Sequence, residues 1–355
     1  MEKLRVGIIG TGGISHFHML GYRAQPDRVE VAAVCDINEE KVKKYAETRG
    51  VDRWYTDYNE MLEKEHLDCV SVTTWNSEHK NAAIAAMRAG CNVLCEKPMA
   101  LNAKEAKEML DVQKETGKVL QIGFVRRFSS EAEMVKNLIA SGEFGDPYYA
   151  KVKFIRRDGC PGGWFGDKAF SGGGPLIDLG VHIIDLARYI AGLPQPVSAY
   201  GKTFNNLGMN RAAGVESTWE IEVNNGHPFN VEDFTTAMVK FDNGFTLQAE
   251  MSFNLNIKEN ESYNIEVFGT KSGVSFSPKF EEFTIRDGHF ANLEPEYKSR
   301  DFGQMFDCEV KSFIDTCLGL KPNAAPAEDG YVLMKIIDAI YESAETGRSV
   351  RIPKD

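Results

Sequence analysis

The chain is predicted to fold as an α/β protein, with a nucleotide-type parallel-sheet domain followed by a second domain of helices and hairpin strands. Three observations predict this. Short β-branched runs alternate with amphipathic helical segments over the first third of the chain, a glycine-rich turn follows the first of those runs, and beyond residue 124 longer strands joined by turn signals take over. At 355 residues and 39.6 kDa the chain has the length of two domains, each able to bury its own core.

In order, Leu4–Ile9, Val29–Cys35, Asp68–Thr73, Asn92–Cys95 and Val119–Phe124 read as strands. Ile14–Ala24, Glu39–Thr48, His79–Ala89 and Ala103–Thr116 read as the helices between them from their apolar spacing. Serial βαβ units of this kind give a parallel sheet covered on both faces. Gly90 and Gly117 each follow a helical run, where a left-handed residue ends a helix cheaply. A helix over Ser129–Ala140 and an extended segment over Tyr148–Arg156 come next, followed by a glycine-rich stretch to Gly174 and a helix opened by Pro175 that runs to Ala191. Val197–Phe204, Val231–Phe241, Phe245–Phe253, Tyr263–Phe268 and Phe280–Ile285 then read as strands, with Asp242-Asn243-Gly244 as a hairpin signal. A sheet built by hairpins leaves one face for a partner subunit. Residues 205–230 read as a polar loop or lid with a short strand near Ser217–Val223, and helices return over Gly303–Leu318 and Glu328–Ala344. The domains are therefore placed at 1–124 and 125–355, with the terminal helices free to pack back on the first domain.

Composition narrows the function. With 41 basic against 52 acidic residues the formal charge is -11, and no basic run collects enough positive charge to hold nucleic acid or an anionic membrane. No apolar stretch approaches the ~18 residues of a spanning helix, and the N-terminus runs straight into a strand pattern, so a cytoplasmic protein is expected. Seven cysteines without ligand spacing, mostly in apolar segments, read as reduced thiols rather than disulfides or zinc ligands.

The first strand ends in Gly7-Ile8-Ile9-Gly10-Thr11-Gly12-Gly13-Ile14. Gly10, Gly12, Gly13 and Ile14 are the expected cofactor-binding turn, where small residues let a pyrophosphate approach the free N–H groups of a helix start. Ser15 replaces the third glycine of the usual fingerprint. Asp36 closes the second strand, where a carboxylate accepts hydrogen bonds from ribose hydroxyls and repels a 2'-phosphate; Ile37-Asn38 supplies no cation to offset it, so NAD is expected over NADP. The plainer alternative is a set of turns with Asp36 capping the next helix. Thr73, closing the Asp68–Thr73 strand, and Asn76 after it are placed on the nicotinamide half of the cofactor with Trp75 covering it; His79 is either a ligand or a packed helix-start residue.

Chemistry is placed in two segments. Cys95-Glu96-Lys97-Pro98 sets Lys97 at the same sheet edge, where an ammonium polarises a substrate oxygen and stabilises alkoxide character, while Glu96 accepts from the nicotinamide ribose or orients Lys97. Asp178 and His182, four apart on the helix after Gly172-Gly173-Gly174-Pro175, share a face as a substrate-binding acid/base pair, and Asp185 follows. No further spacing completes a metal set, so no metal is expected. Arg126 or Arg127 is placed on a polyol or the cofactor, and Trp164 as an apolar wall for a sugar ring or a hinge residue.

These motifs, in this order, resemble the Gfo/Idh/MocA family, the glucose-fructose oxidoreductase and inositol dehydrogenase group: Gly10-Thr11-Gly12-Gly13-Ile14, Asp36, Glu96-Lys97-Pro98, Gly172-Gly173-Gly174 with Asp178, Gly180, His182 and Asp185, and Ala327-Glu328-Asp329-Gly330. The resemblance implies a Rossmann domain, a C-terminal α/β domain with an open, mainly antiparallel mixed sheet, and a cofactor held at their junction. It implies redox chemistry on sugars, inositols and related polyols, with Lys97 in the catalytic Glu-Lys-Pro motif, Asp178 at the substrate-contacting position and His182 at the acid/base position, and homodimers or homotetramers formed through the open sheets. Thr74-Trp75-Asn76 stands where the family more often has Thr-Pro-Asn. Two other functions fit the same residues: glycoside hydrolysis assisted by transient NAD redox, and a non-enzymatic NAD or sugar sensor.

Overall fold

A computed structural model describes residues 3–208 and 226–354. The expected strand near 217–223 lies outside them. The chain divides into two compact units, Met1–Phe128 with Arg300–Met334, and Ser129–Ser299 with Lys335–Asp355.

In the first unit the elements run β1 (Leu4–Ile9), α1 (Ser15–Arg23), β2 (Val29–Cys35), α2 (Glu39–Thr48), β3 (Trp54–Tyr55), α3 (Tyr58–Lys64), β4 (Cys69–Val72), α4 (Asn76–Arg88), β5 (Asn92–Cys95), α5 (Ala103–Thr116) and β6 (Leu120–Ile122), then a 3-10 turn over Val125–Phe128. The strands form one parallel sheet in the order β3-β2-β1-β4-β5-β6. The order reverses between β1 and β4, where open parallel sheets bind ligands at their carboxyl ends. Sequence patterning misses β3 because two residues carry no period. The helix boundaries follow side-chain caps: Asn38, Asp57 and Asn102 accept from backbone N–H groups in the first turns of α2, α3 and α5, and Gly117 ends α5 in the left-handed region.

In the second unit come α6 (Ser130–Ala140), β7 (Pro147–Arg156), α7 (Lys168–Ser171), α8 (Val181–Ile190), β8 (Pro196–Phe204), β9 (Phe234–Phe241), β10 (Thr246–Ser252), β11 (Glu261–Gly269), β12 (Gly273–Ser275), β13 (Glu281–Arg286) and β14 (His289–Leu293). Then α9 (Phe302–Cys317) returns to the first unit, and α10 (Ala327–Thr346) crosses the boundary before β15 (Val350–Arg351). The sheet order is β14-β13-β12-β11-β7-β10-β9-β8-β15, antiparallel except for β7 beside β10. One face is buried: Ala150, Val152 and Phe154 of β7 alternate inward with Val239 of β9 and Leu247 and Ala249 of β10.

The first unit's core joins Val6, Ile8, Val34 and Met19 to Val310, Phe313 and Ile314 of α9. Gly21 permits that contact, because a Cβ there would lie 2.8 Å from Val310. Cys35, Cys69, Cys91, Cys95 and Cys160 are buried, and burial pushes Cys35 up to about 12 and Cys91 up to about 11, well away from thiolate reactivity. Among the described residues no helix is long and apolar enough to cross a membrane.

Candidate active site

The turn after β1 is shaped by its glycines. Gly10 has φ +92°, and a Cβ on it would sit 2.6 Å from the Thr73 carbonyl oxygen after β4. Gly12 and Gly13 have nothing within 4 Å of where a Cβ would be, which leaves open space at the start of α1. That open cradle against a helix N-terminus fits a pyrophosphate. Ser15 takes the third glycine's place without disturbance: it is fully buried, and its hydroxyl donates to the Gly12 carbonyl at 2.6 Å.

Asp36 follows β2 and serves the turn directly. Its Oδ2 accepts from the Thr11 backbone N–H and hydroxyl, both at 2.8 Å, and its Oδ1 accepts from Asn38 N–H at 3.0 Å. Asn38, not Asp36, caps α2, so capping does not explain the acid. A cation that adjacent sequence did not disclose lies near: Lys41 Nζ is 3.6 Å from Asp36, brought back by the first turn of α2.

On the other side of the switch point, Thr73 is nearly buried and its hydroxyl donates to the Ile9 and Gly10 carbonyls at 3.1 and 2.7 Å, so it pins the glycine turn instead of reaching outward. Asn76 opens α4 and is buried. His79 is a packed residue: its two ring nitrogens lie 2.7 Å from the Pro98 carbonyl and 3.2 Å from the Thr74 carbonyl, tying the loop after β4 to the loop after β5, and burial lowers its pKa.

Glu96 points into the unit. Its Oε1 is 2.8 Å from His18 Nε2, and its Oε2 accepts from Lys97 N–H at 3.2 Å, which leaves orientation of Lys97 rather than contact with a ribose as its visible work. Lys97, half-buried, precedes Pro98 across a cis bond. The neighbouring arginines separate: Arg127 is buried and ion-paired to Asp329 at 2.9 Å, donates to the Ala324 carbonyl at 2.9 Å and lies over the Phe124 ring. The expected substrate contact of Arg127 is therefore corrected, since its guanidinium is committed inside the first unit; Arg126 stays a candidate.

In the second unit Asp178 lies in a π turn, Leu176–Gly180, and His182 opens α8 behind it, so the regular α-helical spacing expected for the pair is replaced by a wider first turn. Glu232 and Tyr341 hold that turn. Glu232 accepts from Gly174 N–H at 3.0 Å, Leu176 N–H at 3.2 Å and the Tyr341 hydroxyl at 2.9 Å. A Cβ on Gly173 would meet Tyr341 Oη at 2.0 Å and one on Gly174 the Glu232 carbonyl at 2.1 Å, which accounts for the glycines. Neither Glu232 nor Tyr341 carries a local signal, since both come from distant segments. Asp178 and Asp185 are buried and His182 half-buried. Trp164 stacks on Phe165 with centroids 3.9 Å apart.

A family model described as an oxidoreductase family with an NAD-binding Rossmann fold matches residues 4–124, and a Gfo/Idh/MocA C-terminal domain model matches residues 132–275. The chain is 33% identical over 352 residues to a D-glucoside 3-dehydrogenase of Escherichia coli (strain K12), covering 99% of this chain and 98% of that one. It is 26% identical over 355 residues to a myo-inositol 2-dehydrogenase of Thermotoga maritima, covering 98% of each. Among solved structures, levoglucosan dehydrogenase in complex with NADH shares the fold, with a TM-score of 0.86 at 23% identity and 100% of both chains covered.

Proposed function

The chain belongs to the Gfo/Idh/MocA oxidoreductase family, and from that premise we propose that it transfers hydride between NAD and a hydroxyl-bearing carbon of a sugar, inositol or related polyol. The observation that carries the reading is the glycine turn at the switch point, open above Gly12 and Gly13 and closed from below by Asp36 and Thr73. The first unit is the cofactor unit, with Gly10, Gly12, Gly13, Ile14, Asp36 and Asn76 lining the NAD site, and the second recognises the substrate.

NAD, when bound, supplies the two-electron acceptor or donor. Lys97 holds the substrate oxygen and stabilises its alkoxide character, and His182 takes the hydroxyl proton, or returns it in the reducing direction. Asp178 hydrogen-bonds the substrate and orients the imidazole, and Arg126 and Trp164 contribute to recognition. The likeness to a D-glucoside 3-dehydrogenase favours a glucoside as substrate. The protein is cytoplasmic and a homo-oligomer assembled through the outer sheet face, where half-exposed Tyr200 and Met238 are paired neighbours on β8 and β9. The test is a screen of glucosides, inositols and anhydrosugars with NAD, with products identified by NMR. Turnover confined to substrates without a ring or chain of hydroxyls would reject the substrate class.

Asp36 gives the cofactor preference. Asp36→Asn keeps an oxygen for Thr11 and removes the charge beside Lys41, so calorimetric titration should show NAD binding weakened and NADP binding strengthened, each by about tenfold. Tighter binding of NADP than NAD by the wild type would reject the argument.

A further inference from the structure

A closed polar cluster lies behind Lys97 in the first unit. One potential ligand atom from each of His18 (α1), Glu96 (after β5) and Glu309 (α9) lies within 4.8 Å of the others, and all three residues are buried. His18 is engaged on both sides: Nδ1 is 3.0 Å from the Ser71 hydroxyl, itself 2.7 Å from the Tyr22 hydroxyl, and Nε2 is 2.8 Å from Glu96 Oε1. Glu96 Oε2 receives the Lys97 backbone N–H. Glu309 differs, because it is fully buried and neither of its carboxylate oxygens accepts a hydrogen bond among the described residues.

Charge counting limits what Glu309 can be. The groups facing it are Glu96 from the end of β5, His18 and the Tyr22 hydroxyl from α1, and Arg127 from the turn after β6, whose guanidinium is already paired with Asp329. A second carboxylate anion here would be an unpaired charge in a dry interior, which costs several kcal/mol, whereas keeping one proton removes the charge. Burial, and then Glu96, push the Glu309 carboxyl well above the ordinary carboxylate range against the opposing pull of Arg127.

We propose that Glu309 is a positioning residue that keeps its proton at neutral pH, presents it to Glu96 and, with His18, fixes the Glu96 carboxylate that receives the Lys97 backbone. Its effect on turnover rests on the reading of Lys97 as the catalytic cation; its protonation state does not. An acid that is protonated when folded and ionised when unfolded adds stability that declines as pH rises from the ordinary carboxylate value toward the raised one.

Thermal unfolding of wild type and Glu309→Gln between about pH 5 and 8 reads this directly. The wild-type Tm should fall steadily relative to the glutamine variant as pH rises. Glu309→Gln, neutral and still a donor, should keep kcat within about threefold of wild type, whereas Glu309→Leu should lose about tenfold in kcat with KM for NAD unchanged. Should the glutamine variant not fold, the infrared spectrum of wild type labelled with 13C-glutamate should still show a neutral carboxylic acid band at pH 7 that Glu309→Leu lacks. A Tm difference flat with pH, a missing acid band, or full kcat in Glu309→Leu overturns the proposal. So does a wild-type Tm raised by zinc or manganese and insensitive to those metals in Glu309→Gln, which would make the cluster an ionised cation site. Absence of dehydrogenase activity in the wild type would remove the redox reading and leave the Tm slope to decide this one.

Discussion

Lys97→Ala is expected to lower kcat by about 10²- to 10⁴-fold, the usual contribution of a positioned group that moves or stabilises a proton at the reacting oxygen. Folding should survive, because Lys97 is half-buried and the Glu96 contacts with the Lys97 backbone and His18 are kept by alanine. NAD affinity should also survive, since the turn that holds the cofactor is built by Gly10, Asp36 and Thr73 without Lys97. The measurement is steady-state kinetics beside a cofactor titration and a melting curve on the same preparation. Undiminished turnover would remove Lys97 from the chemistry, and loss of kcat together with collapse of the fold would make its role structural.

Gly10→Ala and Gly12→Ala should separate stability from binding at neighbouring positions. At Gly10 a methyl group meets both a positive φ and the Thr73 backbone oxygen at 2.6 Å, and neither can yield cheaply. The combined strain should cost about 2–5 kcal/mol and lower Tm by roughly 5–15 °C, with loss of NAD binding. At Gly12 the methyl meets nothing of this chain. That variant should melt with the wild type yet bind NAD at least about tenfold more weakly, because the methyl occupies the space the pyrophosphate needs. Equal NAD affinity in Gly12→Ala and wild type would place the cofactor elsewhere.

What was legible in the sequence was local. The β1 and β2 runs, the turn at Gly10 and the glycine that ends α5 carry their signals within a few residues, and the structure places each where its pattern points. The rest depends on partners far away along the chain. Arg127 and Arg126 are indistinguishable until Asp329 folds back onto one of them. The turn at Asp178 is π-wound and held by Glu232 and Tyr341, neither of which any spacing rule connects to Gly174. Thr73 and Glu96 lie at the carboxyl edge of the sheet that the strand pattern indicates, but the direction of each side chain is decided by Gly10 and His18, which no local spacing reveals. Glu309 reads as one polar residue on an amphipathic helix until α9 packs it against α1.

Deuterium transfer tests the central claim most directly. With a substrate from the NMR screen carrying deuterium at the carbon that becomes the carbonyl, wild-type protein should convert NAD to NADH bearing one deuterium per ketone formed, and Lys97→Ala should do so at the reduced rate. Label recovered in solvent or returned to the sugar, with glycosidic cleavage and no net NADH, would contradict it.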